Sequence, residues 1–217
     1  MTLIQFQSKD SWESVYNGYG VTEIKDDGSV YVKPSAAEAD NVTHACLAVS
    51  KYAPTTKKYE LGTTMTTLSQ TRAKPSPKAW EVAWLLWDVA PDQPGTPNSS
   101  FKFYDFILKP NGWEIGKQDP AYTGGQRFLY TGENLKLEFG KKYDIKVIAD
   151  HSNPAFNKFS VYVNGELIKE FEDHERPIPV GKVGAYCEDA ECLFEHTWVS
   201  EPIEHTKGMV LADESGK

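Results

Sequence analysis

The sequence has no long hydrophobic run and no excess of basic residues. Its longest apolar stretch, Val82 to Trp87, is far shorter than the ~20 residues of a membrane span, so we expect no membrane partner. The 31 acidic residues outnumber the 23 basic ones, which gives a net charge of −8. Because no basic patch is present to follow a phosphate backbone, we expect no nucleic-acid partner.

The N-terminal segment, MTLIQFQSKDSW, lacks the basic and apolar regions of a signal peptide. This favours either a cytoplasmic protein or the mature form of a secreted one. Cysteine is also scarce, with 3 residues in the chain. Cys187 and Cys192 are spaced to pair across a short turn and leave Cys46 free, or all of them stay reduced, and both alternatives remain open.

Helical periodicity is almost absent, which excludes a helical bundle. Short alternating or apolar runs are separated by Gly, Pro, Asn and Asp, a pattern typical of an all-β sandwich of two antiparallel sheets. With 40% apolar and 12% aromatic residues, the chain has enough material for a sizeable core. We expect one sandwich domain over residues 1–200 and a flexible or edge-docked C-terminal tail over residues 201–217.

The predicted strands are short and numerous, as a two-sheet sandwich requires. They cover residues 29–33, 43–50, 58–68, 80–89, 101–109, 126–131, 142–150, 158–163, 167–171, 182–186 and 192–199. The dipeptide Asn164-Gly165 predicts a type I′ turn between two of them. Two segments rich in Gly and Pro, 88–100 and 109–126, are predicted to be long loops.

The C-terminal half resembles the concanavalin A-like lectin and glucanase superfamily, which includes laminin-G-like and jelly-roll carbohydrate-binding domains. The resemblance rests on a V-x-V-N-G hairpin at Val161 to Gly165, a G-x-V-G-x-Y segment at Gly181 to Tyr186, and the pair Phe194-Glu195, and it extends over about residues 40–200. It implies a jelly-roll sandwich. Because this fold carries lectins, hydrolases and lyases alike, it does not by itself decide the activity.

The catalytic motifs of two enzyme groups in this superfamily are missing. Laminarinase-like glycosidases use an E-x-D-x-x-E strand, but Ala83 stands two residues after Glu81, where that motif has aspartate. The Q-x-H pattern of alginate-lyase-like enzymes is absent as well. Neither catalytic set can be transferred to this chain.

Strict alternation in the strand predicted over residues 80–89 separates its side chains into two faces. Trp84 falls on the apolar face and is predicted to lie in the core. Glu81 and Trp87 fall on the mixed face, which we expect to be the concave floor of a ligand site. On this interpretation Glu81→Gln leaves the stability nearly unchanged.

The neighbouring strands and loops supply aromatic rings, carboxylates, an amide and basic groups. Proteins hold sugars with such sets, because C–H faces stack on aromatic rings and polar groups meet the hydroxyls, and basic groups suit uronates. The predicted substrate-binding residues are Arg72, Trp87, Tyr104, Asp105, Lys109, Trp113, Lys117, Gln126 and Arg127.

The sequence therefore predicts a lectin-like domain that binds an oligo- or polysaccharide on its concave face, with an unknown oligomeric state. The alternative is an enzyme on the same surface: a glycoside hydrolase with Glu81 and Glu114 as its acid/base pair, a polysaccharide lyase, or an intracellular lyase or isomerase acting on a small molecule other than a sugar. No cofactor is certain. Calcium (Ca²⁺) is a candidate, with Glu188 and Asp189 as its ligands.

Overall fold

The computed structural model describes residues 1–74, 76–93 and 100–203. These residues form two antiparallel sheets, one of eight strands and one of seven. The eight-stranded sheet runs in the order β13 (Glu166–Asp173), β12 (Asn157–Val163), β11 (Tyr143–Asp150), β6 (Lys58–Gln70), β15 (Ala190–Glu201), β4 (Val30–Lys33) and β3 (Val21–Ile24), and β1 (Thr2–Gln5) also pairs with β15. The all-β, two-sheet antiparallel sandwich predicted from the sequence is confirmed.

The seven-stranded sheet forms the other layer. Its order is β10 (Gln126–Gly132), β9 (Gly112–Gln118), β8 (Phe101–Lys109), β7 (Ala83–Pro91), β14 (Lys182–Glu188), β5 (Ala45–Ser50) and β2 (Trp12–Tyr16). One short 3-10 helix, Lys9–Ser11, precedes β2. Among the described residues, none of the helical structure is long and apolar enough to cross a membrane.

Aromatic side chains from both sheets meet in the core. The Trp87 ring on β7 stacks on Tyr104 of β8 at 5.7 Å and meets Phe159 of β12 edge-on at 5.6 Å. Phe159 in turn contacts Phe171 on β13 at 5.3 Å. Because β7 and β12 belong to different sheets, these rings mark the inner face of each sheet.

A buried polar network joins the two layers at the same depth. Tyr104 donates its hydroxyl hydrogen to Asp173 at 2.5 Å, and Lys117 Nζ lies 2.6 Å from the same carboxylate. Lys117 is fully buried, with 0% exposure. A buried charge is costly unless it is paired, and here Lys117 and Asp173 pair with each other. The network therefore connects β8 and β9 of one sheet to β13 of the other.

The Asn164-Gly165 turn is confirmed, because both residues have positive φ (51° and 82°) and they connect the paired strands β12 and β13. The loop predicted over 109–126 is wrong, since it contains the buried strand β9. In the other predicted loop, β7 continues to Pro91, and residues 94–99 lie outside the described part of the chain. Most of the predicted tail, residues 204–217, lies outside it as well.

The faces predicted for β7 are reversed in the structure. Trp87 points inward at 0% exposure, whereas Trp84, although it is buried as predicted at 6% exposure, lies on the outer face of the seven-stranded sheet, edge-on to Tyr186 at 5.0 Å. Alternation separates two faces but does not say which one is inside, and on this strand both faces are apolar. Glu81 lies before β7, in the turn that leads into it.

The cysteines are free thiols. Cys46, Cys187 and Cys192 are all buried, and none forms a disulfide. Of the two alternatives that the sequence left open, the structure contains the reduced one.

Candidate functional site

A groove runs across the outer face of the seven-stranded sheet and is the candidate site, hereafter the outer groove. It consists of two adjoining cavities of about 560 and 520 Å³ that share Trp84, Gln126 and Glu188. The first cavity is further lined by Val15, Tyr16, Ser100, Phe101, Phe103, Gln118 and Tyr186. The second is further lined by Ala79, Trp80, Lys109, Asn111, Glu114 and Phe128.

The strand register explains why these side chains share one face. Tyr186 of β14 lies opposite Trp84 of β7, and Trp84 lies opposite Ile107 of β8. Glu114 of β9 is the next partner in this row. Directly opposite residues point to the same side of a sheet, so the row brings an indole, a phenol and a carboxylate together on the outer face.

Aromatic rings stand at the ends of the outer groove. Trp80 is 43% exposed and Phe128 is 66% exposed on one side, and Tyr16 is 43% exposed on the other. Large exposed aromatic side chains on a soluble domain often mark a binding surface. The rings here are separate, with polar groups between them.

Two acidic side chains in the outer groove have close partners. Lys109 Nζ lies 2.6 Å from Glu114 Oε2, and Tyr186 donates its hydroxyl hydrogen to Glu188 at 2.7 Å. Burial raises the pKa of the Glu188 carboxyl above its usual range, and the hydrogen bond from Tyr186 partly offsets the rise. Glu188 therefore holds a proton more readily than an exposed glutamate does.

Asp105 lies in the floor of the outer groove, between Leu86 and Gly116 on the neighbouring strands. It is 0% exposed, and neither carboxyl oxygen has a hydrogen-bond partner at normal geometry among the described residues. Burial raises the pKa of the Asp105 carboxyl well above its usual range, and the nearby Glu114 carboxylate raises it further. The Asp105 carboxyl therefore keeps its proton to a higher pH than an exposed aspartate does.

Gly116 makes room for this carboxyl group. A Cβ atom at Gly116 would lie 2.6 Å from both Asp105 oxygens, which is well inside a van der Waals contact. Glycine at this position is therefore needed for Asp105 to fit beneath the surface.

Four of the residues predicted to form the site lie on this outer face: Asp105, Lys109, Glu114 and Gln126. Glu188, predicted to be a metal ligand, lines the outer groove as well. Five others do not reach it. Trp87, Tyr104 and Lys117 belong to the core described above, Trp113 donates its indole hydrogen to Asn134 at 2.7 Å, and the Arg127 guanidinium stacks on Tyr122 at 3.9 Å.

Arg72, Glu81 and Asp189 form a separate buried cluster. Arg72 Nε lies 2.5 Å from Glu81 Oε1, and Arg72 Nη2 lies 3.0 Å from Asp189 Oδ2. Arg72 also donates to the carbonyl oxygens of Ala39 and Val42. The placement of Glu81 in the ligand site is therefore wrong: its carboxylate is a structural partner, and the pair Glu81 and Glu114 is not assembled.

The two predicted calcium ligands face different partners. Asp189 is paired with the Arg72 guanidinium, and Glu188 accepts a hydrogen bond from Tyr186. A positively charged guanidinium beside Asp189 disfavours a cation there. Within the described ranges, no three His, Cys, Asp or Glu side chains are grouped to hold a metal ion.

Sequence reasoning missed the principal groove residues, namely Trp80, Trp84, Tyr186, Phe103, Gln118 and Phe128. A weak signal was present in two short patterns, Gln126-x-Phe128 and Tyr186-x-Glu188. Residues two apart on a strand share a face, so each pattern places a polar group beside an aromatic ring. The signal does not show that β10 and β14 border the same surface.

Comparison with family models and with curated proteins gave no match. Solved structures do match. A sialidase matches at a TM-score of 0.56 and 8% identity over 89% of this chain, which spans 17% of the sialidase chain. The VIP36 exoplasmic/lumenal domain in its Ca²⁺/Man3GlcNAc-bound form matches at a TM-score of 0.55 and 11% identity, over 91% of this chain and 86% of that one.

An endo-β-1,4-glucuronan lyase from the fungus Trichoderma reesei also matches, at a TM-score of 0.52 and 7% identity over 88% of this chain and 87% of that one. At identities this low, the likeness concerns the fold. The chain has the concanavalin A-like jelly-roll sandwich fold.

Proposed function

We propose that the protein is a lectin-like domain that binds a neutral stretch of an oligo- or polysaccharide in the outer groove. The observation that carries the proposal is that three aromatic residues, Trp80, Trp84 and Tyr186, line the outer groove together with the polar groups of Gln126 and Glu188. Sugar rings present C–H faces that stack on aromatic side chains, and their hydroxyls pair with amides and carboxylates.

The charges in the outer groove favour a neutral sugar over a uronate. The Lys109 ammonium group is already paired with Glu114, and Glu188 adds a second acidic group. Among the described residues that line the outer groove, no basic side chain other than Lys109 is present to pair with a uronate carboxylate.

The length of the outer groove suits several sugar units. Its two cavities adjoin and together extend across the seven-stranded sheet from β14 to β10. Exposed aromatic rings stand at both ends. The known structure of VIP36 with Man3GlcNAc supports the proposal, because that domain carries a carbohydrate on the same fold.

Calorimetric titration with cellotetraose, mannotetraose, chitotetraose and trigalacturonate tests the proposal. At least one neutral probe is expected to bind the wild type, and Trp80→Ala and Gln126→Ala are expected to weaken that binding by about tenfold, the loss typical of one stacking ring or one buried polar contact. Tyr19→Ala is the matched control, because Tyr19 is an aromatic residue exposed at 86% that does not line the outer groove. Equal affinities for all variants would contradict the proposal.

Calcium is not part of the proposed contact. VIP36 is known in a Ca²⁺-bound form, but here Arg72 occupies the position beside Asp189 that a cation would need. Binding in the presence of excess EDTA is expected to match binding in the presence of added calcium. Loss of affinity in EDTA would show that a metal ion is required.

A glycoside hydrolase is the second candidate function. Glu114 and Glu188 both line the second cavity, and burial raises the pKa of the Glu188 carboxyl. Hydrolysis of a glycosidic bond needs two carboxyl groups, one of which is protonated as the acid. Product release from the neutral probes, abolished by Glu188→Gln while their binding persists, would favour this function, and binding without product would favour the lectin-like one.

A further inference from the structure

We propose that the opposite face of the sandwich carries a second sugar-binding surface, centred on Trp198. This surface, hereafter the Trp198 platform, lies on the outer face of the eight-stranded sheet and consists of Gln5, Gln7, Thr64, Asp144, Glu195 and Trp198. It borders a cavity of about 710 Å³. The outer groove lies on the other sheet, so the two surfaces share no residue.

The Trp198 ring lies across the backbone of β6. Trp198 is directly opposite Gly62, and a Cβ atom at Gly62 would lie 2.7 Å from three atoms of the indole. Only glycine leaves the ring this space. The ring is partly exposed and stands between two cavities, since it lines both the one of about 710 Å³ and a smaller one of about 370 Å³. A sugar chain can therefore contact it from either side.

Polar groups surround the ring at positions fixed by the sheet. Gln5 of β1 is directly opposite Trp198, and Gln7 donates to the Gln5 side-chain oxygen at 2.9 Å. In the adjacent row, Thr64 donates its hydroxyl hydrogen to Asp144 at 2.7 Å. These bonds orient the amides and the carboxylate, and within the described part of the chain they leave the Gln5 amide hydrogens and the second Asp144 oxygen for ligand hydroxyls.

The charges of the Trp198 platform nearly cancel. Lys142 Nζ lies 2.7 Å from Glu195 Oε2, and the Lys146 ammonium group lies beside the platform, over the Tyr162 ring at 4.6 Å. A flat ring bordered by amides and a balanced set of charges suits a neutral saccharide rather than a strongly charged ligand. We assign this chemistry to the Trp198 platform.

A bulge in β15 shapes the cavity. The register of β15 against β6 shifts between Glu195 and Trp198, and His196 within the bulge has a φ of 52°. A left-handed backbone at a residue other than glycine is unfavourable and is often kept at functional positions. Here the bulge turns the exposed His196 toward the cavity that the Trp198 platform borders.

The stoichiometry of sugar binding tests this proposal. Calorimetric titration of the whole chain with the same neutral tetrasaccharides is expected to give two sites per chain. Trp198→Ala is expected to remove one site, and Gly62→Ser, which keeps the indole but displaces it from the backbone of β6, is expected to weaken the same site by about tenfold. Unfolding curves for both variants show whether each remains folded.

The two proposals fail in different ways. One site that is lost in Gln126→Ala and unchanged in Trp198→Ala would overturn the Trp198 platform and leave the outer groove. One site that is lost in Trp198→Ala and unchanged in Gln126→Ala would overturn the outer groove and leave the Trp198 platform. No binding of any neutral probe would overturn both.

Discussion

Arg72 Nε lies 2.5 Å from Glu81 Oε1, and neither side chain has any exposed surface. This ion pair closes the turn before β7, because Glu81 also accepts a hydrogen bond from the Lys78 backbone at 2.9 Å. Trp80, at the edge of the outer groove, lies inside that turn. The Arg72–Glu81 pair therefore fixes the turn that places Trp80 at the edge of the outer groove.

Removing one partner of the pair is expected to be strongly destabilising. Glu81→Gln leaves the Arg72 guanidinium buried with only Asp189 as a charged partner, and breaking a buried ion pair in this way costs about 3–5 kcal/mol. Urea unfolding measures the loss. The triple variant Arg72→Met, Glu81→Leu and Asp189→Asn is the control and is expected to recover part of it, because none of the three buried charges of the cluster remains. An unchanged free energy of unfolding in Glu81→Gln would contradict the buried pair.

Asp105 is expected to make the stability fall as the pH rises. Its pKa in the folded protein is raised far above the unfolded value near 3.8, so between the two values the folded state binds more protons than the unfolded state. The free energy of unfolding then decreases with increasing pH, by up to about 1.4 kcal/mol per pH unit from this group.

Asp105→Asn removes this titration. We expect the variant to be more stable than the wild type near pH 7 and the difference to shrink as the pH falls toward 4, because a growing fraction of the unfolded chains then carries a protonated Asp105. Thermal unfolding between pH 4 and 8 measures the difference. A stability difference between the variant and the wild type that grows toward low pH would contradict a raised pKa of Asp105 in the folded protein.

Trp87 and Trp80 are expected to behave in opposite ways. Trp87→Ala removes a fully buried ring and is expected to destabilise the fold by about 3–5 kcal/mol. Trp80→Ala is expected to change the stability little, because Trp80 is 43% exposed, and to weaken sugar binding. Denaturant unfolding and calorimetry on both variants make the comparison, and a large stability loss in Trp80→Ala would place that ring in the core.

Lys117 is expected to affect stability and not affinity. Lys117→Met leaves Asp173 without the ammonium group that lies 2.6 Å away, and an unpaired buried carboxylate destabilises by about 3–5 kcal/mol. Sugar affinity of the folded variant, measured well below its unfolding midpoint, is expected to equal that of the wild type. A loss of sugar affinity in Lys117→Met without a loss of stability would show that Lys117 belongs to the ligand site.

The sequence predicts the fold well because sandwich strands carry their own signals. Alternation and turn residues such as Asn164-Gly165 are local, and the C-terminal strands were found at nearly their observed limits. The strands that were missed are short and largely exposed, such as β1 and β3, or contain charged residues, such as β9. Lys117 on β9 is buried only because Asp173, distant in the sequence, supplies its partner.

The candidate site was predicted less well for a related reason. Alternation showed that β7 has two faces, but the choice between them depends on Phe159 of the other sheet, which packs against Trp87. Likewise, nothing local distinguishes Glu81, whose partner is Arg72, from Glu188, which lines the outer groove. Glu81 precedes β7 and Glu188 is the last residue of β14, and the surroundings of both carboxylates are set by tertiary contacts.

The most direct test of the outer groove is a nuclear magnetic resonance titration of the 6 tryptophan indole N–H groups with a neutral tetrasaccharide. The resonances of Trp80 and Trp84 are expected to shift as sugar is added, whereas those of Trp87 and Trp113 in the core are expected to stay in place. Shifts confined to residues outside the outer groove, or no shift at all, would contradict the account.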